Sequence, residues 1–265
     1  MEYSDIVVTR NADTIRITMN RPQRRNALSQ RHLSELVAAF RAAGESDARG
    51  IVLAAEGPVF SAGHDFAEVV GGDADAVHTL LTTCAELMEL MRAVPQPVIA
   101  RVHGLATAAG CQLVANADLA VAADTAGFAA PGGKGGWFCH TPMVAIGRNV
   151  GRKRAFELAL SGDVIDALTA LDWGLVNSVV PGWQLDEAVA ELMYRVSRGS
   201  PDSSAIGKRA LYAQLDLPQD EAYRYAIEVM AATSRLPDAS EGMAAFLDRR
   251  PARWQPPSRP VPDLA

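Results

Sequence analysis

The chain is predicted to fold as an α/β protein, and three observations along its 265 residues carry that prediction. Short apolar runs rich in Val, Ile and Ala alternate with segments whose apolar residues recur at helical spacing. Beyond Pro181 the helical rhythm continues with no strand to interrupt it. Hydrophobic residues make up 49% of the chain, enough at this length to bury a sizeable core in one or two domains.

The first element is a hairpin: β-branched residues cluster in 6–9 and 14–19 around Asn11-Ala12-Asp13. Behind Ser29, a capping residue type, Leu33, Leu36, Val37 and Phe40 recur at helical spacing, and Gly44 closes that helix. The run 50–55 is short and apolar and ends in Glu56-Gly57-Pro58, the pattern of a buried strand that delivers a functional loop. An amphipathic helix follows, with Val77, Leu80, Leu81, Leu87, Met88 and Met91 on one face, until Pro95 and Pro97 stop it. Further buried strands are predicted at 97–102, 118–123 and 175–180, the last bounded by Gly174 and Pro181. Then Leu185, Ala188, Val189, Leu192, Met193 and Val196 mark a helix. Pro201 and Pro218 restart helices, 222–233 and 241–248 read as two more, and prolines leave the tail from 251 irregular. A boundary is placed near residue 200, giving a core over 1–200 and a helical region over 201–265. No internal repeat is visible, so a sequence-repeat solenoid is not expected.

Composition excludes several classes. A net charge of −6 and a pI near 5.4 argue against nucleic acid as the main partner. Cys84, Cys111 and Cys139 share no metal-ligand spacing, so neither a metal site nor a disulfide framework is expected. The start Met1-Glu2-Tyr3-Ser4-Asp5 lacks the regions of a secretory signal, and no apolar run reaches membrane-spanning length. A cytoplasmic protein with no membrane span is the expectation.

Two glycine-bearing loops follow buried strands: Phe60-Ser61-Ala62-Gly63-His64-Asp65, and Ala108-Ala109-Gly110 at the start of a helix. Small residues admit a ligand close to the backbone, and a helix start offers unpaired N–H donors. If both loops aim N–H groups at one oxygen they form an oxyanion hole, in which each donor is typically worth about 10²–10³ in rate. The same small residues also suit plain helix–strand packing, and the loops alone leave both readings open.

The order Asn20-Arg21-Pro22 with Asn26-Ala27-Leu28, Phe60-Ser61-Ala62-Gly63-His64-Asp65, Pro97-Val98-Ile99-Ala100, Ala108-Ala109-Gly110-Cys111-Gln112-Leu113, Asp118, Phe128-Ala129-Ala130-Pro131 and Glu241-Gly242-Met243-Ala244-Ala245-Phe246 resembles the crotonase (enoyl-CoA hydratase/isomerase) superfamily. The resemblance runs over nearly the whole chain. It implies a crotonase-like spiral of ββα turns, a C-terminal helical region for trimer assembly, and a homotrimer or dimer of trimers. It implies a coenzyme A thioester as substrate or ligand and no covalently bound cofactor. The thioester carbonyl would sit between the backbone N–H groups of His64 and Ala109, beside Gly110. The loop of Ala62, His64, Asp65 and Phe66 would lie against the adenine. Arg24 and Arg25 would approach the coenzyme A phosphates, a solvated surface role being their other reading.

The departures from that family are as informative. Hydratases of the family hold a water between two glutamates, and the matching positions here are Gln112 and Gly132. Neither titrates near neutral pH, and each lost acid–base partner typically removes about 10²–10⁴ in rate. Ordinary hydration is not expected. A similar substitution marks the enoyl-CoA hydratase domain-containing subgroup, which 104–114 resembles. His140 stands where dienoyl-CoA isomerases carry a catalytic aspartate, and an imidazole there could carry a proton near pH 7; its other reading is local packing. His32, His78 and His103 are assigned structural or surface roles. Gly132-Gly133-Lys134-Gly135-Gly136 lacks the pattern of a phosphate loop. Cys111 invites comparison with Clp-type serine peptidases, which share the spiral, but no histidine–aspartate set accompanies it, so it is read as a buried structural thiol. Trp137 and Phe138 line an acyl pocket or the core. Two functions follow. One is an acyl-CoA enzyme that stabilises an enolate, with His140 as proton carrier; the other is a non-catalytic acyl-CoA binding trimer. Gln112→Glu with Gly132→Glu is expected to restore some crotonyl-CoA hydration where the pocket has kept a hydratase shape.

Overall fold

The opening hairpin forms as predicted: β1 (Ile6–Asn11) and β2 (Thr14–Met19) pair antiparallel around Ala12-Asp13, and Ala12 takes a φ of +49°. The computed structural model describes residues 3–258, 260 and 261. Met1 and Glu2 of the N-terminal reading, and 259 and 262–265 of the proline-rich tail, lie outside the described residues. From β2 a sheet continues in parallel through β3 (Gly50–Ala55), β5 (Val98–Val102), β7 (Leu119–Ala123) and β10 (Ser178–Val180), in the order β1-β2-β3-β5-β7-β10. The last strand is shorter than the predicted 175–180. The N–H of Leu175 turns back to the carbonyl of Ala170, so pairing with β7 starts only past Asn177, whose own N–H reaches Ala120.

Both faces are covered at the central strands β3, β5 and β7, which is why these read as apolar runs rather than alternating ones, while β1 at the edge is exposed beyond Ile6. Ile51 and Leu53 of β3 pack in one cluster with Leu33, Leu36 and Phe40 of α1 (Gln30–Glu45) and Leu87 and Met91 of α3 (Ala74–Ala93). Val52 and Ala54 point the other way, to Leu185, Val189 and Met193 of α8 (Leu185–Ser197). The predicted cap Ser29 accepts from the N–H of His32, and Asp73 caps α3 in the same manner. Gly44 does not close α1, which runs on to Glu45. A Cβ on Gly44 would meet Val94 Cγ1 at 2.9 Å, so that glycine serves the close approach of α1 to the end of α3.

A second sheet was not legible in advance. It joins β4 (Val59–Ser61), β6 (Leu105–Thr107), β8 (Gly127–Ala129) and β9 (Ile165–Asp166) in the order β4-β6-β8-β9, the first three parallel. Between the strands lie α2 (Phe66–Gly71), α4 (Ala109–Asn116), α5 (Pro142–Val150), α6 (Arg152–Ser161) and α7 (Ala167–Asp172). The C-terminal helices are α9 (Pro201–Leu215), α10 (Gln219–Thr233) and α11 (Pro237–Leu247). The last two start earlier than predicted, because Pro218 and Pro237 stand at their entrances, where a missing N–H costs nothing. Helix α9 meets the core at the Asp118 carboxylate. Asp118 accepts from Tyr212 Oη at 2.7 Å and from the N–H of Val98 at 2.7 Å, and Lys208 Nζ lies 2.7 Å from it.

Candidate functional site

Because β4, β6 and β8 run parallel and adjacent, the turns at their C-terminal ends emerge side by side, the usual place for a crevice in a parallel sheet. These turns are 62–65, 108–109 and 130–140. Two glycines let the first two touch. Gly63 has a φ of +85°, and a Cβ on it would stand 2.9 Å from Ala108 Cβ and 3.2 Å from Ala109 N. A Cβ on Gly110 would stand 2.4 Å from the carbonyl oxygen of Ser61. Ala108 turns the chain into α4 with φ at +50° and ψ at −119°, a conformation L side chains rarely adopt, which stores about 1–3 kcal/mol of strain. Among the described residues, the N–H groups of His64 and Ala109 meet no backbone acceptor.

The motif around Asn26 is the scaffold of the first turn. Asn26, fully buried, donates to the carbonyls of Glu56 and Val59, and its backbone carbonyl accepts from Ser61 Oγ. Asp65 caps α2 by accepting from the N–H of Ala67 and pairs with Arg21 at 2.9 Å and Arg24 at 3.2 Å. Burial works against its charge, but hydrogen bonds from Arg21, Ala67 and Arg24 hold its carboxyl below the usual range. Arg25, the neighbour of Arg24, has a φ of +54° and an exposed side chain.

A cavity of about 430 Å³ opens over these turns, with walls that are mostly apolar. Of the predicted residues it brings together Ala62, His64, Phe66, Gly132 and His140, with Trp137 and Phe138. Phe66 stands edge-on to Trp137 at 6.1 Å between ring centres, and His140, exposed, lies 5.0 Å from the Phe138 ring. Arg24, Arg25, Asp65, Ala109, Gly110 and Gln112 do not form its wall. Gln112 is buried behind it, and its Oε1 has no hydrogen-bond partner among the described residues. Leu81 and Cys139 line the cavity too. Leu81 was hidden in the apolar stripe of α3, and Cys139 gave no signal beyond being a single thiol. Cys111 is fully buried, and burial pushes its thiol up to about 12, as suits an inert core residue.

The space next to Gly132 is already filled. A Cβ there would lie 2.1 Å from the carbonyl oxygen of Trp137 and 2.8 Å from both the backbone N and the Sγ of Cys139. The turn is drawn this tight by hydrogen bonds from the N–H of Trp137 to the carbonyl of Gly132 and from the N–H of Gly132 to Cys139 Sγ. A glutamate at that position would therefore have to displace the Trp137 carbonyl and Cys139. Among the described residues there is no cluster of three or more His, Cys, Asp or Glu side chains suited to a metal, and no helix long and apolar enough to cross a membrane.

The family model for Enoyl-CoA hydratase/isomerase matches residues 9–257. The rat protein named enoyl-CoA hydratase domain-containing protein 3, mitochondrial, is 44% identical over 249 residues, 93% of this chain and 83% of its own. The crystal structure of an enoyl-CoA hydratase from Mycobacterium smegmatis superposes with a TM-score of 0.92 at 41% identity, covering 95% of this chain and 99% of that one. The structure of human enoyl coenzyme A hydratase domain-containing protein 3 also gives 0.92, at 38% identity, covering 95% and 100%. The fold is thus the crotonase fold. The cytoplasmic location expected above is corrected by the rat relative, which is named as a mitochondrial protein. The expectation rested on the first residues and on apolar run lengths, neither of which separates cytosol from mitochondrion.

Proposed function

The chain belongs to the enoyl-CoA hydratase/isomerase family, and on that premise we propose that it binds a coenzyme A thioester with the carbonyl oxygen between the N–H groups of His64 and Ala109. One observation carries this reading: the glycine preceding His64 packs so close that its Cβ position is 3.2 Å from Ala109 N. That closeness, and the lack of backbone acceptors for the two N–H groups among the described residues, support a shared oxygen site at the start of α4, where the helix dipole favours developing negative charge. The acyl chain enters the apolar cavity among Phe66, Trp137 and Phe138. Arg24 and Arg25, both on the turn beside Asp65, are assigned to the coenzyme A phosphates, with Ala62 and Phe66 toward the adenine.

The chemistry rests on enolate stabilisation. Gln112 and Gly132 move no proton, and His140, exposed on the cavity wall, is the residue assigned to proton transfer, with isomerisation, decarboxylation or slow hydration as the outcome. The unpaired Oε1 of Gln112 and the filled space at Gly132 favour a second reading, a non-catalytic acyl-CoA binding trimer. Residues 1–200 are assigned to the acyl-CoA core and 201–265 to assembly as a homotrimer or dimer of trimers. Exposed apolar side chains on α6, α7, α10 and α11, among them Phe156, Leu160, Leu168, Ile227, Met230 and Phe246, support self-association.

Calorimetric titration with crotonyl-CoA and butyryl-CoA tests the binding claim, and the absence of heat with any acyl-CoA sinks both readings. Turnover over a panel of enoyl-, dienoyl- and malonyl-type thioesters separates them. The enzyme reading expects an activity that His140→Ala abolishes, and the binding reading expects none.

A further inference from the structure

The glycine-rich turn 132–136 forms part of the cavity wall and carries one side chain, that of Lys134. The turn is pinned by hydrogen bonds from the N–H of Gly135 to the carbonyl of Pro131, at 3.1 Å, and from the N–H of Trp137 to the carbonyl of Gly132, at 2.8 Å. The stem of Lys134 lies over Gly162, where a Cβ would stand 3.0 Å from Lys134 Cβ and 3.4 Å from its Cδ. Its Nζ pairs with Asp163 at 2.9 Å, and the two side chains are 64% and 71% exposed. A solvated pair of this kind is worth about 0–1 kcal/mol, so the ammonium leaves and returns readily on its flexible four-carbon stem.

The chain holds two other lysines, and neither is placed like this one. Lys208 is held under the C-terminal helices, with Nζ donating to the carbonyls of Met91 and Gln96 and lying beside Asp118. Lys153 is exposed on α6 but takes no part in the cavity wall. Of the three lysines, Lys134 alone therefore brings an amine to the cavity.

A thioester is an acylating agent, and the groups assigned above to its carbonyl also favour attack on it. Two N–H donors on a carbonyl oxygen stabilise the tetrahedral oxyanion of acyl transfer as well as an enolate. An amine on the same wall meets the carbonyl carbon at a raised effective concentration. Resting on the acyl-CoA reading above, we propose that Lys134 is a self-acylation site, modified at Nζ by the acyl group of a bound coenzyme A thioester. The ammonium first gives one proton to water, and the amine nitrogen then bonds to the carbonyl carbon. As the oxyanion collapses the carbon–sulfur bond breaks, and coenzyme A leaves as a thiolate that takes up the second proton from nitrogen. Nothing is oxidised or reduced. Only the neutral amine attacks, so the step is slow. The product is an uncharged amide that gives up the pair with Asp163 and tethers the acyl chain at the cavity.

Peptide mapping by mass spectrometry, after incubation of the full chain with sub-millimolar butyryl-CoA at mildly alkaline pH, tests this. Lys134 is expected to gain the butyryl group about tenfold faster than Lys153, the advantage of a millimolar effective concentration over free thioester. Excess coenzyme A, or replacement of the reagent by the butyryl thioester of N-acetylcysteamine, which lacks the nucleotide, should each bring that ratio below about threefold. Calorimetry with butyryl-CoA on the same protein reports binding separately. Heat of binding with Lys134 unmodified, or modified no faster than Lys153, overturns the proposal and leaves the acyl-CoA reading standing. So does a preference for Lys134 that excess coenzyme A leaves unchanged. Absence of heat with both butyryl-CoA and crotonyl-CoA removes that reading and the proposal together.

Discussion

Gln112 and Gly132 differ in how far each stands from a working glutamate. At Gln112 only the end group differs, and a buried carboxylate in its place would titrate high for want of partners. At Gly132 the space itself is gone, because backbone atoms of Trp137 and Cys139 occupy it. Gly132→Glu, alone or with Gln112→Glu, is therefore expected to give no gain in crotonyl-CoA hydration and to destabilise the fold by about 2 kcal/mol or more through overpacking; a coupled hydration assay and thermal melting check both halves. His64 adds a pH signature. Its imidazole protonates near 6.5 in the unfolded chain but only at about 4 when folded, because burial opposes the charge. The unfolded chain thus binds more protons between those values. The stabilisation is complete above 6.5 and is lost as pH falls through the folded value, a span worth about 3 kcal/mol. His32, also lowered by burial, acts in the same direction. Urea unfolding at neutral and acid pH should show a shallower acid loss in His64→Gln than in the wild type.

Among the elements, the parallel trio β4, β6 and β8 sets the site, since it brings three separate turns to one edge. The contact between the first two is a glycine against a backbone carbonyl: a methyl at Gly110 would lie 2.4 Å from Ser61 O. Gly110→Ala raises intrinsic helix propensity by about 1 kcal/mol, yet the clash cannot be relieved by rotating a side chain, so net destabilisation and at least tenfold weaker acyl-CoA binding are expected. Denaturant melts with calorimetry check this. The large sheet was legible because Ile51, Val52 and Leu53 are buried on both faces and read as one apolar run. The trio was not, because strands of three residues such as Val59–Ser61 are too short to show a period. The turns they deliver were found instead by their glycines. Asn26 was visible as part of a motif, but its role, holding the carbonyls of Glu56 and Val59, depends on contacts some thirty residues away in the chain. His64 was read for its backbone alone, because the burial of its ring is a property of the assembled fold.

For the molecule as a whole, the join between the spiral and its C-terminal helices runs through Asp118. Its carboxylate receives Lys208, Tyr212 and the N–H of Val98, and Lys208 also donates to the carbonyls of Met91 and Gln96 at 3.0 Å. Burial lowers the Lys208 ammonium, and Asp118 partly restores it. Asp118→Asn leaves that ammonium buried without its counter-charge, at an expected loss of about 3–5 kcal/mol; thermal melting gives the size, and proteolysis of α9 to α11 before the core would show that the loss is at this join. The crowding at Gly132 reaches further, into what the position can become. Any side chain there has to wait for the Trp137 carbonyl and Cys139 to retreat first, so no single substitution sets a carboxylate at this turn without moving its neighbours. The tight turn works as a latch: it closes one route to new chemistry and leaves the rest of the cradle as the part open to change.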